Sequence, residues 1–374
     1  MIERFRAENY GCLKNVEVKL TPIHAFVGPN DSGKSTLLHA IRTVCQLAGD
    51  KFTLDPKRRI APFDPHLPWG AHFTLTASGT DWSYSVYPTP RSIDRLTDRP
   101  IGQPPTLQED LRCKIGQSGH MNREPFAASE VLGGANRVQP PAERLAIMHQ
   151  MSPGRLLRLD AAALREPSSL VPPSHFLDIA FGDERGLGLA GVLHAVRERD
   201  PEAFATIVRR VRDLFPAVAT ISLPAASAST LTIEAELTDR VRVAAEQLSD
   251  GLLYYLAFAA LRSLSPPAVL LLEEPENGLH PARIAEVVRV LRNLVESAPT
   301  QVLIATHSPL VINELNPEEV TVLTRSSVEE GTKARPIKDT PNFEKRAGVY
   351  ALGELWLAYC DGKDESPLFD EARR

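Results

Sequence analysis

The sequence predicts an α/β fold with a mixed central sheet, an antiparallel β lobe and a helical insertion. Three observations carry this. Short apolar runs at 23–27, 268–272 and 301–305 each end in a loop, and the first two lead into helical patterns, the order of parallel α/β units. Residues 2–9 and 16–20 alternate apolar and polar side chains, as half-buried antiparallel strands do. Residues 187–214 carry helical periodicity through Leu189, Val192 and Val196, then Phe204, Ile207, Val208 and Val211.

The elements follow in order. The run at 23–27 is interrupted only by His24 and followed by glycine, which marks a buried central strand. From Ser35 the positions Leu37, Leu38, Ile41 and Val44 share one helical face. Residues 52–138 are rich in Pro, Arg and Gly, with strands expected only at 72–77 and 82–87. The stretch 88–141 reads as irregular or as an insertion. Strands are expected at 221–223 and 230–237, and the order from Gln247 onward is loop, helix, strand, loop, helix, strand.

Composition narrows the classes. With 43% hydrophobic and 24% charged residues the 374-residue chain is an ordinary globular protein with ample core. A net charge of -5 offers no global basic field for nucleic acid or an anionic membrane. A local patch stays open, yet Arg209, Arg210 and Arg212 read as a solvated helix face rather than a DNA surface. The four cysteines, Cys12, Cys45, Cys113 and Cys360, show no CxxC or Cys/His spacing and read as free thiols. The N-terminus has no apolar h-region and no apolar run is long enough to span a bilayer, so the expectation is a soluble, cytoplasmic chain with no membrane partner.

Chemistry concentrates in four places. Gly28-Pro29-Asn30-Asp31-Ser32-Gly33-Lys34-Ser35-Thr36 matches the phosphate-binding loop G-x-x-x-x-G-K-[ST], between a buried strand and a helix, the context that confirms it. The glycines let backbone N–H groups converge on phosphate oxygens at a helix N-terminus. Lys34 is expected to reach the β- and γ-phosphates of ATP, and Ser35 to hold Mg²⁺. The strand at 268–272 delivers Glu273 and Glu274 at its C-terminal end, where ligands bind in open α/β sheets. Glu273 is expected on Mg²⁺ through its water, and Glu274 as the base that orients and deprotonates the attacking water. His307, one strand later, faces the same edge and is positioned to bond the γ-phosphate or that water. Lastly Leu248-Ser249-Asp250-Gly251 opens an apolar helix, where Ser and Gly make an anion site or an ordinary N-cap.

In chain order (phosphate loop, Ser-bearing helix start, Glu-Glu strand, His strand) the motifs resemble the ABC ATPase superfamily, in its RecF/SMC-like branch. The chain looks most like the ATPase half of OLD-family nucleases and related stand-alone bacterial ATPases. The wording that carries this is Leu248-Ser249-Asp250-Gly251-Leu252-Leu253, Glu273-Glu274-Pro275-Glu276-Asn277-Gly278-Leu279-His280-Pro281 and Ala305-Thr306-His307-Ser308-Pro309. The resemblance implies that residues 248–251 are the signature motif, Ser249 and Gly251 touching the γ-phosphate held by an opposite copy. Asn277 to His280 would be the D-loop at the seam. It implies an ATP-dependent head-to-tail homodimer with two composite sites.

Several positions depart from the family. Glu273 stands where transporter heads carry Asp, Asp250 where the superfamily has Gly, and His280 where the D-loop has Asp. Gly11 sits where many relatives carry Arg, and Gln103 and Gln150 are the candidates for the Q-loop. The expected organisation is an ATPase head at 1–325, with its nucleotide-binding core from 1–50 and 240–325 and the β lobe and helical insertion at 51–239. A tail at 326–374 follows, in which Val349, Leu352, Trp356 and Tyr359 form a helical stripe, expected to pack on its own chain before it serves as a docking surface. Glu354, Asp361, Asp364 and Glu365 read as a solvated acidic end rather than a Toprim nuclease. The function this implies is an ATP-gated dimeric switch for a separate effector, a nuclease or toxin of anti-phage defence. The alternative is a RecF/SMC-like repair ATPase that binds DNA directly.

Overall fold

The computed structural model describes residues 1–48, 154–171, 181–264, 267–341 and 343–359, with the backbone of the strands between residues 70 and 127. Its central sheet has six strands in the order Gly154–Leu157, Val269–Glu273, Gln301–Thr306, Ile23–Val27, Val320–Thr324 and Lys333–Pro336. The first five run parallel and the last antiparallel. The inner strands are apolar at nearly every position because both faces of the sheet are covered. Alternate residues divide between two cores. Ala25, Val27, Leu270, Leu272, Val302 and Ile304 face a helical layer. Phe26, Val269, Leu271, Leu303 and Ala305 face the helix Lys34–Ala48 and the antiparallel lobe. Each Val, Leu, Ile or Phe among them contributes about 1.5–3 kcal/mol by burial. A one-residue slip would exchange the two faces, so this division specifies the register.

The antiparallel lobe runs Phe126–Ala127, Leu107–Ile115, Thr80–Pro88, Gly70–Ala77, Ile2–Tyr10 and Leu13–Lys19. The two N-terminal strands thus lie in this sheet, and their buried side chains share a core with the helix Lys34–Ala48. The strand Leu107–Ile115 falls within 88–141, expected to be irregular. Its period is visible in hindsight: Leu107, Leu111, Cys113 and Ile115 alternate with polar residues, broken only by Glu109.

Two buried polar groups tie lobe and sheet together. Gln301 donates to the carbonyls of Ile2 (2.8 Å) and Thr21 (3.0 Å) and accepts from the Ile2 amide (3.0 Å). His24, 1% exposed, bonds Thr21 Oγ1 (3.0 Å) and Thr321 Oγ1 (2.9 Å). Burial pushes the His24 imidazole down to about 4, the Glu319 carboxylate opposing this. The native ring is thus neutral where an unfolded chain would protonate it. Its contribution to stability is complete above about pH 6.5 and is lost as pH falls towards 4. At pH 5 the loss is about 2 kcal/mol. Urea unfolding at pH 7.5 and pH 5 is expected to show a smaller drop for His24→Gln than for wild type; equal drops would remove His24 as the cause.

In the helical layer, the stretch 187–214 is helical, as its periodicity predicts. It is two helices, Leu189–Arg199 and Pro201–Leu214, divided at Asp200, whose carboxylate caps the second by accepting from the Ala203 amide (3.0 Å). Pro201 sits at the first position of that helix, where its missing N–H costs nothing. Arg209 pairs with Glu202 (2.6 Å), Arg210 lies 3.9 Å from Asp213, and Arg212 donates to the Ala219 carbonyl. The cluster is a solvated face with matched charge. The strand expected at 230–237 is broken into Thr230–Leu231 and Glu234–Leu237. Among the described residues no helix is long and apolar enough to cross a membrane.

The expected boundary at 325 cuts a hairpin, because Lys333–Pro336 pairs with Val320–Thr324 inside the central sheet. The docking stripe also breaks: Phe343–Ala347 and Leu352–Tyr359 are separate helices around Gly348, and Val349 lies between them, 75% exposed. Leu355 and Trp356 are buried in the larger core, the packing outcome expected for Trp356. This helix approaches closely over Gly353, whose amide donates to Asn313 Oδ1 (2.6 Å); a Cβ there would lie 2.1 Å from the Pro309 carbonyl. Gln103, Gln150, Asp361, Asp364 and Glu365 lie outside the described residues.

Candidate functional site

The strand register assembles the site. Leu157 sits beside Leu272, Glu273 beside Ala305, and Thr306 beside Val27. The residues that follow these strand ends therefore leave the sheet along one edge: Arg158, Glu274, His307 and Gly28. Open parallel sheets bind ligands at that edge.

The phosphate loop is held by packing on both sides. Gly28 runs against the next strand so closely that a Cβ would lie 2.1 Å from the Leu323 carbonyl. Gly33, at φ +97°, faces Thr332, where a Cβ would lie 2.4 Å from Oγ1. Thr332 donates from that hydroxyl to the Ser32 carbonyl (3.0 Å) and from its amide to the Cys12 carbonyl (2.9 Å). Thr332 is thus a brace for the loop from a segment read as tail, and nothing local in the sequence marks it. Asp31 takes φ 63°, a left-handed turn that Asp tolerates. Lys34 is buried, its Nζ donating to the carbonyls of Gly28 (2.8 Å) and Pro29 (2.7 Å). Asn30 and Ser35 are exposed, Pro29 and Thr36 half-buried, and Ser32 buried with no partner for its Oγ. Gly11 takes φ +57° against Thr36, and a Cβ would lie 2.7 Å from Thr36 Cγ2.

Opposite the loop helix stand the carboxylates. Glu273 is 7% exposed, and its Oε1 is buried with no hydrogen-bond partner. His39 Nε2 lies 3.8 Å from Oε1 and Arg158 Nη1 3.8 Å from Oε2. An orphaned buried carboxylate oxygen facing His39, one turn along the loop helix from the exposed Ser35, fits Mg²⁺, which is held by one or two protein oxygens together with substrate phosphates. Arg158 and His39 escaped the sequence reading. Arg158 is exposed and follows a four-residue strand with too little pattern to detect.

Glu274 turns out of the strand at φ 47°, a strained conformation for a residue with a side chain and of the kind that gathers at functional sites. Its amide donates to the Ala305 carbonyl (2.8 Å), its Oε2 accepts from Asn277 Nδ2 (2.7 Å), and its Oε1 lies 3.5 Å from His307 Nδ1. Glu276 lies behind them, its Oε1 accepting from Thr306 Oγ1 (2.5 Å), with His307 Nδ1 at 3.9 Å. Burial raises the Glu276 carboxyl above the usual range, the Thr306 bond and His307 partly opposing this. Glu276 belongs to the motif but was given no role from sequence; it buttresses the strand end that carries His307.

The signature residues open the helix Asp250–Leu261. Ser249 is its N-cap, accepting from the Leu252 amide at 3.4 Å, and Leu248 is buried. A Cβ on Gly251 would lie 3.3 Å from the Gly278 carbonyl. Gly278 itself takes φ +73°, with Tyr254 of the signature helix across it; a Cβ there would lie 2.3 Å from Tyr254 Cε2. His280 acts as N-cap of the helix Pro281–Ser297, accepting from the Ala282 amide (3.2 Å). Loop helix and signature helix lie on opposite faces of the central sheet, Leu37, Leu38 and Ile41 in one core and Leu252, Leu253 and Leu256 in the other.

Comparison with known proteins adds three findings. A family model described as "AAA domain, putative AbiEii toxin, Type IV TA system" matches residues 150–313, and one described as "AAA ATPase domain" matches residues 1–86. A curated relative, the OLD nuclease of Thermus scotoductus (strain ATCC 700910 / SA-01), is 31% identical over 130 residues. That match covers 30% of this chain and only 25% of the relative. Among solved structures, an SMC head bound to the C-winged helix domain of ScpA is similar with TM-score 0.58 and 15% identity, over 89% of this chain and 97% of that one. The SMC head domain from Thermotoga maritima matches with TM-score 0.47 and 14% identity, over 90% and 98%. The first of these two shows a shared fold.

Proposed function

We propose that this chain, which is an ABC/SMC-like ATPase related to the OLD nucleases, binds and hydrolyses Mg-ATP between two head-to-tail copies and thereby switches a separate effector. Lys34 and the backbone N–H groups of the 28–36 loop, Pro29 apart, hold the phosphates. Ser35 and, through water, Glu273 would hold Mg²⁺, which would supply neutralisation of phosphate charge. Glu274 orients and deprotonates water, with Asn277 and His307 fixing its carboxylate. Ser249 and Gly251 of the second copy close the site over the γ-phosphate, with Asn277 to His280 at the seam.

One observation supports the two-copy reading above the rest: the phosphate loop and the signature helix start belong to opposite faces of one sheet. A second copy brings a signature helix to the loop without rearranging either core. Pairing then follows nucleotide state, and a ligand shifts the monomer–dimer balance only through its preference for the dimer. We take the effector to be of nuclease or toxin class, in anti-phage defence; the matched descriptions name a nuclease and a putative toxin.

Mass photometry of the wild-type chain with Mg-ATP is expected to show dimers. Ser249→Arg, which places a bulky cation at the seam, is expected to weaken that pairing by at least roughly tenfold, about 1.4 kcal/mol. Pairing as tight as wild type would remove the signature helix from the site.

A further inference from the structure

Asp250 poses a charge problem for the reading just given. It occupies the first turn of the signature helix, directly after Ser249, and is 54% exposed. A carboxylate there stabilises the helix, whose N-terminus carries partial positive charge. The same carboxylate repels phosphates brought to this helix start by a second copy.

Arg165 lies against it. This last residue of the short helix Ala161–Arg165 donates from Nη2 to the Leu248 carbonyl (2.8 Å) and to Asp250 Oδ1. Its side chain is 23% exposed, more enclosed than its partner. A guanidinium stays charged at any physiological pH and presents five donors, more than these two contacts use. Its placement is built from both ends. Asp160 caps the short helix by accepting from the Ala163 amide (3.0 Å), and Leu164 is fully buried. Tyr254, on the signature helix, donates to the Leu159 carbonyl (3.2 Å). Segment 159–165 is therefore stapled to the signature helix at Tyr254 and again at Leu248 and Asp250.

We infer that Arg165 is a positioning residue of the composite site. It neutralises Asp250 and holds the Leu248 carbonyl, so that the signature helix start faces the opposite copy's triphosphate as an attractive surface. This rests on the paired-copy reading and gives the acidic signature a compensating partner about eighty residues upstream.

The test compares Glu274→Gln protein as parent with the same protein carrying Arg165→Ala, Arg165→Lys, Asp250→Ser or Arg165→Ala with Asp250→Ser. Dimer mass with Mg-ATP, nucleotide loading and melting temperature are measured for each. Arg165→Ala is expected to weaken ATP-driven pairing about 10–100-fold, and Arg165→Lys less. Asp250→Ser alone is expected to pair about threefold to tenfold tighter than the parent, and the double variant to recover to within about threefold of it. That recovery separates charge compensation from scaffolding, which removing Asp250 would not restore. Parent-like pairing by Arg165→Ala overturns the inference alone, as does an unrescued double variant or weaker pairing by Asp250→Ser. Lost nucleotide loading in a folded Arg165→Ala overturns it too, since the residue then serves its own copy's loop. Should Arg165→Ala fail to fold, the Asp250→Ser result decides. A parent that never pairs overturns both this inference and the reading beneath it.

Discussion

Glu274→Gln is expected to cut ATP turnover by about 10²–10⁴-fold, the usual contribution of a positioned general base, and to leave an ATP-bound dimer that persists. The structure explains why this substitution isolates chemistry from folding. Glutamine keeps the volume of glutamate and an acceptor oxygen for Asn277 Nδ2, now 2.7 Å from Glu274 Oε2. The backbone at φ 47° carries its strain with either side chain, and the bond from the residue 274 amide to the Ala305 carbonyl is a main-chain contact. What changes is basicity: an amide cannot take a proton from water. Phosphate release measured with dimer mass in the same sample checks both halves. Wild-type turnover would mean that Glu274 is not the base, and lost turnover without dimers would mean that closure does not precede hydrolysis.

Lys34→Ala is expected to weaken nucleotide binding by roughly a hundredfold, about 3 kcal/mol, the range for truncating one partner of an enclosed charge pair. Lys34 Nζ rests on the carbonyls of Gly28 and Pro29, inside the loop it serves. These contacts keep the ammonium solvated by protein while the loop is open, so its charge is already in place when phosphates arrive. Alanine removes that charge and leaves two carbonyls facing incoming anions. Fluorescent ATP-analogue titration of the monomer gives the affinity directly. Because this reads loading rather than pairing, it separates loop defects from the seam defects expected at Ser249 and Arg165. Unchanged affinity would remove the loop from nucleotide binding altogether.

The sequence showed the site unevenly, and the reason is range. Residues 28–36 are contiguous, so the spacing of Gly28, Gly33 and Lys34 already states which backbone turns and which charge the loop requires. Glu273 and Glu274 end an apolar run, so their delivery to a strand terminus follows from the run itself. The helical periodicity of 187–214 was legible, and Asp200-Pro201, a helix start in its own right, divides it into two helices. The strand Leu107–Ile115 was less legible because the adjacent Glu109 and Asp110 interrupt its apolar–polar alternation.

Chain-local pattern carried the mixed α/β class and put the phosphate loop, both carboxylates and His307 at strand ends, where the structure has them, since strand period, helix period and a glycine's backbone freedom are properties of neighbouring residues. Packing alone settled that Thr332 braces Ser32, that Arg158 and His39 flank Glu273, that Arg165 meets Asp250, and that residues 333–336 complete the central sheet. These partners lie far apart along the chain. Their meeting depends on which sheet edge and which face each segment buries, and that is decided by the competition of the whole chain for two cores.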